Sequence, residues 1–460
     1  MDEIFDVISN MGGKKVLVVG AGKSGLAVSS FLARRGARVT LADEKNVELP
    51  ADTAASFKSL NVELCFGGYP EVSLGSFELV VLSPGVPLNS PLAKAARRAG
   101  IPLTGELELA FRFLASPLVA ITGTNGKTTT TALTGEIFRA SGYKTVVAGN
   151  IGVPLIEKVE ICGPDAVVIA EVSSFQLETV STFKPRACAI LNLTPDHLDR
   201  HGSLEGYISA KARIFENQGP GDYTVLNYDD PTVRSLGEKT PGKVVYFSRK
   251  EKLARGVWVE DGEIVAGFDG AREVILRADE VGIPGAHNLE NALAASALAV
   301  ALGVGRQGIA GALRSFKGVA HRLEFVAEIG GVRYINDSKG TNPDAAIRAL
   351  DAYDCPIVLI AGGKNKGSDF SELAAKIKEK VRVLVLLGQS ADLIEAAVRK
   401  AGFKEIYRAK SFEEAVLAAH RAARPKEVVL LSPACASWDM FNNFEERGDL
   451  FKKIVHSLKA

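Results

Sequence analysis

Cysteine, methionine and tryptophan are scarce in this 460-residue chain, with five, three and two copies. The cysteines, Cys65, Cys162, Cys188, Cys355 and Cys435, stand far apart, odd in number and without CxxC spacing, which argues against a disulfide framework or a thiolate zinc site and fits a reducing, cytoplasmic location. Cys435 has no base near it in sequence and reads as structural. The opening Met1-Asp2-Glu3 shows no basic leader with an apolar core, so no secretory signal is expected. Long apolar runs are missing as well. The uncharged stretch 292–305 is Ala-rich at helical spacing and shorter than the roughly 20 residues needed to cross a bilayer; it predicts a buried helix. An excess of charge of one sign is also absent. The 55 basic and 54 acidic side chains nearly cancel, so neither nucleic acid nor a membrane surface is an expected partner, and anions must be met at local sites.

What the chain does have is core-forming material, 47% hydrophobic against 24% charged residues. At about 100–200 residues per domain, its length predicts roughly three domains. Apolar β-rich runs alternate with amphipathic stretches, the pattern of βαβ units, so the expected class is α/β with mainly parallel sheets. A first section, 1–115, carries strands at 15–20 (KVLVVG), 38–43 (RVTLAD), 78–82 (ELVVL) and 101–104 (IPLT) around helices such as 25–35, with Ser116-Pro117 as the seam. A second, 116–317, carries strands at 118–122, 166–170, 187–191 and 223–227, then a hairpin over 256–266 turning on Asp261-Gly262. Past Phe316-Lys317-Gly318, a third section, 318–460, carries strands at 332–335, 356–360, 381–387 and 427–431.

Two glycine-rich loops carry the clearest chemistry. Gly20-Ala21-Gly22-Lys23-Ser24-Gly25 follows a strand, opens a helix and has Asp43 ending the next strand, the full GxGxxG context for a dinucleotide or a nucleotide diphosphate. Gly123-Thr124-Asn125-Gly126-Lys127-Thr128-Thr129 is a shortened phosphate loop, with Ile121 where the standard spacing has glycine. Its backbone donors suit phosphates, Lys127 their charge and the Thr128 hydroxyl a Mg²⁺ ion.

Glu171, ending a buried strand, and His197, just past another, fall where strand C-termini line a ligand crevice and are placed to serve a second hard cation. His197 and His201 stand four apart without the Glu of HExxH, so zinc hydrolysis is not expected and His201 reads as a loop or cap residue. A helix from Ser203 to Asn217, capped by Ser203, would put Leu204, Ile208, Lys211 and Phe215 on one stripe. Lys211 then either snorkels to water or is buried with a partner or a modification that makes it negative. In the third section, the loops 336–343, 362–366 and 432–437 are polar, two of them bearing lysines, and suggest an anionic substrate, solvated turns being the alternative.

Together GTNGKTTT (123–130), EVSSFQLE (171–178), NLTPDHLDRH (192–201), YISAKARI (207–214), GAHNLENALAA (285–295), HRLE (321–324) and NDSKGTN (336–342) resemble the Mur ligases over nearly the whole chain. SSFQLE and SPACASWDMFNNFEERG (432–448) look most like the members that add D-glutamate. The resemblance implies Rossmann-like N- and C-terminal domains flanking a central P-loop-type ATPase domain. The implied reaction joins D-glutamate to UDP-N-acetylmuramoyl-L-alanine through an acyl phosphate, with ATP and two Mg²⁺ ions; a monomer is expected.

The first fingerprint would then hold uridine nucleotide, with Lys23, Ser24, Asp43, Ser83 and Gly85 near it and Asn150 and His197 near the rest of that substrate. Gly123 to Thr129, Asn288, Asn291, Arg322 and Asp337 would hold ATP, and Thr128, Glu171, His197 and Lys211 would serve the metal ions. Lys211 matches a lysine carbamylated in the family. D-Glutamate would meet Thr341, Ser437 and Phe444, with Lys339 and His321 nearby. Of the two lysines in GGKNKGSDF, Lys364 and Lys366, the second is the preferred ligand. The rival readings are another Mur or folylpolyglutamate-type ligase, an NAD-dependent dehydrogenase, which leaves the GKTT loop unexplained, and a non-catalytic ATP-binding module.

Overall fold

A computed structural model of the chain describes residues 3–68, 74–150, 152–268, 270–365 and 367–458. Three sheets follow one another along the sequence. The first, with β1 (Lys15–Val19), β2 (Arg38–Asp43), β3 (Glu63–Phe66), β4 (Leu79–Leu82) and β5 (Leu103–Gly105), is parallel throughout in the order β3-β2-β1-β4-β5. Strand order reverses between β1 and β4, the position at which parallel sheets open a crevice at their C-terminal edge.

The second sheet contains β6 (Leu118–Thr122), β7 (Lys144–Gly149), β8 (Ala166–Glu171), β9 (Ala187–Ile190), β10 (Tyr223–Asn227), β11 (Lys243–Ser248), β12 (Gly256–Glu260), β13 (Glu263–Phe268) and β14 (Ala271–Arg277). Its order is β14-β13-β12-β11-β10-β9-β6-β8-β7, parallel except that β13 runs antiparallel to both of its neighbours, β12 and β14. β12 and β13 form the expected hairpin, with Asp261 and Gly262 both at positive φ, 51° and 78°. The third sheet, β15 (Glu324–Ile329), β16 (Val332–Asn336), β17 (Ile357–Gly362), β18 (Val381–Leu387), β19 (Ile406–Arg408) and β20 (Val428–Leu431), runs β15-β16-β20-β17-β18-β19 with only β15 antiparallel.

The chain divides into two compact units, Met1–Glu280 with Glu290–Arg314, and Val281–Leu289 with Ser315–Ala460. In the first, one apolar cluster joins residues of the first sheet and its helices, such as Val16, Phe31 and Leu107, to Leu118, Val168 and Phe183 around the second. In the second, alternate residues of β17 feed opposite faces: Ile357 and Leu359 pack into one cluster, Val358 and Ile360 into the other. Burial on both faces explains why these strands read as continuous apolar runs.

Residues 292–301 of the Ala-rich stretch lie in helix Ala286–Ala301 with their alanines buried, while 302–305 fall past the helix end. No helix among the described residues is long and apolar enough to cross a membrane. One helix differs from expectation. The Ser203 hydroxyl does cap it, accepting from the Gly206 amide, but the α-helix ends at Ala212 and Arg213–Phe215 tightens into a 3₁₀ turn. Tertiary bonds pull this end: Arg213 donates to the Glu178 carbonyl, and Asn217 to those of Ser181 and Phe183.

Candidate active site

At the crevice of the first sheet, β1 runs into Gly20, at φ 95°, and helix Lys23–Arg34 begins directly after Gly22. A Cβ at Gly25 would overlap the Gly20 carbonyl, so the helix can pack this closely only with glycine there. The Ser83 hydroxyl donates to that carbonyl at 2.8 Å. Asp43 does something other than simply face a ligand: one carboxylate oxygen accepts the Ala21 amide at 2.8 Å and the other the Lys45 amide at 2.9 Å, bracing the turn. Around them opens a cavity of about 810 Å³ lined by Lys23, Ser24, Asp43, Ser83, Gly85 and Asn150. His197 is not in its lining, whereas Lys45 and Asn89 are, and neither was legible from a motif.

In the second sheet, β6 leads through Gly123 and Gly126, at φ 153° and 83°, into helix Lys127–Ala140, whose N-cap Gly126 offers no side-chain cap. Amides at such an end suit an anion. A Cβ on Gly126 would run into the Asn291 side chain, which also accepts from the Thr130 hydroxyl. The loop is bolted to the segment after β9: the Asn125 amide donates to the Asn192 side chain at 2.8 Å, and the Thr124 hydroxyl to the Thr194 carbonyl. Lys127 folds back over the loop, its ammonium bonded to the Gly123 and Thr124 carbonyls. Thr128 and Thr129 are buried, and the Thr129 hydroxyl has no hydrogen-bond partner among the described residues.

Lys211 points at this loop. Its amine donates to the Gly123 carbonyl at 2.9 Å and the Thr122 hydroxyl at 3.2 Å, and lies 4.8 Å from the Tyr207 ring centre. Burial, and then Lys127, hold its pKa well below the usual lysine range, against the opposing pull of Asp196 and Glu171. The stripe reading is thereby resolved toward burial and away from snorkelling. Glu171 is buried at the end of β8 and accepts from the Asn150 side chain at 2.8 Å, linking two residues expected in different subsites.

His197, at φ 51°, opens the short helix Leu198–His201 and lies 3.6 Å from Asp196 with its ring against Phe175. His201 sits beside Ser174 and Glu178, its pKa lowered by burial, as a packing residue. Among the described residues, no three His, Cys, Asp or Glu side chains gather as a self-sufficient metal site. A threonine hydroxyl, one carboxylate and a phosphate-accepting loop instead suit Mg²⁺, which keeps few protein ligands and takes the rest from nucleotide and water.

In the other compact unit, the Asn288 side chain donates to the Pro284 carbonyl, and Asp337 accepts from the Ser432 hydroxyl at 2.7 Å and the Leu323 amide at 3.3 Å. Burial raises Asp337 to about 6. Arg322 is among the groups that oppose this rise. His321 carries the Asn336 amide on its ring, and the Phe444 ring stands 6.1 Å away with the Lys339 ammonium 5.4 Å over it. Two residues past Lys339, the Thr341 amide bonds to the Lys339 carbonyl. Ser437 is buried one residue past the Lys364–Ala436 bridge, while Lys366 lies outside the described residues. Arg447, 1% exposed, ties this group together by donating to the Ser338 hydroxyl and carbonyl and the Cys435 carbonyl. It lies within the 432–448 motif, the one signal that could have found it.

Residues 14–105 match the Mur ligase MurD-like N-terminal domain, 121–299 the Mur ligase middle domain and 321–435 the Mur ligase glutamate ligase domain. The fold is shared with a pseudomurein peptide ligase type C from Methanothermus fervidus (TM-score 0.61, 19% identity, 97% of this chain and 100% of that one). It is also shared with a UDP-N-acetylmuramate-alanine ligase from Thermotoga maritima (TM-score 0.60, 22% identity, 96% and 99%). The chain belongs to the Mur ligase family.

Within it, the chain is 63% identical to the UDP-N-acetylmuramoylalanine–D-glutamate ligase of Pelotomaculum thermopropionicum, over 97% of this chain and 98% of that one. It is 51% identical to the enzyme of the same name from a Thermoanaerobacter species, over 97% and 99%. These matches put it in the D-glutamate-adding branch.

Proposed function

We propose that the protein is an ATP-dependent ligase that joins D-glutamate to UDP-N-acetylmuramoyl-L-alanine in peptidoglycan precursor synthesis. The observation that carries this reading is the phosphate loop Gly123–Thr129 with the buried amine of Lys211 bonded to its first carbonyl. A dehydrogenase would have no use for that arrangement. ATP supplies the phosphoryl group that turns the poor carboxylate electrophile into an acyl phosphate, and Mg²⁺ supplies positive charge at the phosphates when bound.

The chain's own groups do the rest. Loop amides and Lys127 hold the phosphates and spread charge that develops on them, Thr128, Glu171 and His197 orient the ions, and Asn291 keeps Gly126 close. Depressed basicity leaves Lys211 neutral in a larger fraction of molecules, and a neutral amine is what carbon dioxide needs to form a carbamate; the resulting anion would turn a repelling lysine into an Mg²⁺ ligand. Asn288, Arg322 and Asp337 complete the ATP set. Lys23, Ser24, Asp43, Ser83, Gly85 and Asn150 take the uridine nucleotide, and Lys339, Thr341, Lys366, Ser437, Phe444 and His321 take D-glutamate. We assign domains to 1–115, 116–317 and 318–460, a cytoplasmic location and a monomeric state.

ADP release in the presence of UDP-N-acetylmuramoyl-L-alanine is the test, with and without D-glutamate and beside L-glutamate, meso-diaminopimelate, L-lysine and a folate acceptor. D-Glutamate-dependent release is expected. Release with another acceptor alone would overturn the assigned substrate, and none under any condition would overturn the enzyme.

A further inference from the structure

Arg200 lies three residues past His197, in the short helix Leu198–His201, and each of its three guanidinium nitrogens makes a hydrogen bond. Nε and Nη2 fork onto the two oxygens of Glu178, at 3.3 and 2.6 Å, with the Phe175 ring centre 4.7 Å from the guanidinium carbon. From the same group, Nη2 reaches the Val86 carbonyl at 3.2 Å and Nη1 approaches that of Gly85 at 3.4 Å. Both ionic side chains are 13% exposed, so this pair is shielded rather than a screened surface contact. Gly85 and Val86 line the 810 Å³ cavity, and the same loop is locked at its other end by the Ser83 bond to Gly20. One side chain on the His197 segment thus sets two consecutive peptide carbonyls in the wall of the cavity. All these residues belong to one compact unit.

We propose that Arg200, held by Glu178, is a positioning residue that fixes the 83–87 wall of the acceptor pocket in register with the His197 segment. The inference rests on the reading of that cavity as the uridine-nucleotide site. It follows from geometry that only a planar fork can serve the Glu178 carboxylate and two carbonyls at once; an ammonium at the same place has three donors and no fixed plane. Loss of the fork leaves the wall free to shift and the Glu178 carboxylate without its ion partner. The hydrogen bonds of Arg200 go to Glu178, Gly85 and Val86 and none reaches the phosphate loop among the described residues, so the defect falls on the UDP-linked substrate rather than on ATP.

The experiment is titration calorimetry of UDP-N-acetylmuramoyl-L-alanine into the full chain without ATP, paired with KM for each substrate, for wild type, R200A, R200K and E178Q. Charged hydrogen bonds of this kind correspond to roughly tenfold to hundredfold in affinity. R200A and R200K should both weaken acceptor binding and raise its KM by that factor, E178Q by less, while KM for ATP and for D-glutamate stays within about twofold. If R200A fails to fold, R200K carries the comparison. Wild-type binding of the acceptor with unchanged affinity in R200K overturns the inference and leaves the proposed function standing. Equal rises in all three KM values also overturn it, since a merely structural role would do that. No binding by wild type removes the pocket assignment itself, and the inference falls with it.

Discussion

Replacing Glu106 by glutamine should change how the stability of the first compact unit depends on pH. Glu106 opens helix Glu106–Phe113 and is 1% exposed. One oxygen accepts the Ile156 amide at 2.8 Å; the other is buried without a hydrogen-bond partner among the described residues. Burial raises its pKa from the ordinary 4.5 to about 7, outweighing the bonds from Ile156, Gln176 and Leu155 that favour the anion. The folded chain therefore keeps a proton that the unfolded chain has released. Its contribution is fully present below pH 4.5, fades as pH rises, and is gone above about 7.

At about 1.4 kcal/mol per pH unit, the gap corresponds to roughly 3 kcal/mol, of which 2–3 kcal/mol falls between pH 5 and 8. E106Q carries no titrating group there. The stability difference between variant and wild type should shift by that amount in the variant's favour from pH 5 to 8. Asp337, raised to about 6, titrates in both proteins and cancels. Urea unfolding followed by the fluorescence of Trp258, 97% buried in the same unit, reads it out against Trp438 in the other. Parallel pH curves for the two proteins would refute the reasoning.

Lys127→Ala should abolish D-glutamate-dependent ADP release while calorimetric binding of the UDP-linked acceptor stays within about twofold; near-normal turnover would remove the loop assignment. Gly25→Ala forces a Cβ into the Gly20 carbonyl, so acceptor binding should weaken at least about tenfold with KM for ATP unchanged. Lys211→Arg keeps the positive charge but cannot form a carbamate, and turnover should fall by about a hundredfold or more; retained activity, or no response of the wild type to bicarbonate depletion, would count against the modification.

Strands buried on both faces were legible because burial demands an unbroken apolar run, as in LVAIT of β6 and IVLIA of β17, both fully buried. The edges were not. β3, β14, β15 and β19 are partly exposed, and their sequences, such as AREVILR, carry charges where only one face meets the core. Nor can periodicity place the unit boundary. Helix Ala286–Ala301 reads as one element, yet its first residues pack with the third sheet's unit and the rest with the second's, so Asn288 and Asn291, three apart, fall in different units.

Site residues divide along a similar line. Gly20, Gly25, Gly123 and Gly126 are visible in sequence because the chain needs them at places a Cβ cannot occupy or a positive φ is required. The residues that hold these loops in place leave little local mark: Asn192 engages both the amide and the carbonyl of Asn125, Asp43 the Ala21 amide, Arg200 the carbonyls of Gly85 and Val86, and Arg447 that of Ser338. Each spends a charged or amide side chain on backbone. Such bonds fix donors before substrate arrives, so that little reorganisation is needed as charge develops. A sequence motif records the geometry a loop must adopt, whereas the brace that enforces it can come from any element folding brings near, and only its coordinates reveal it.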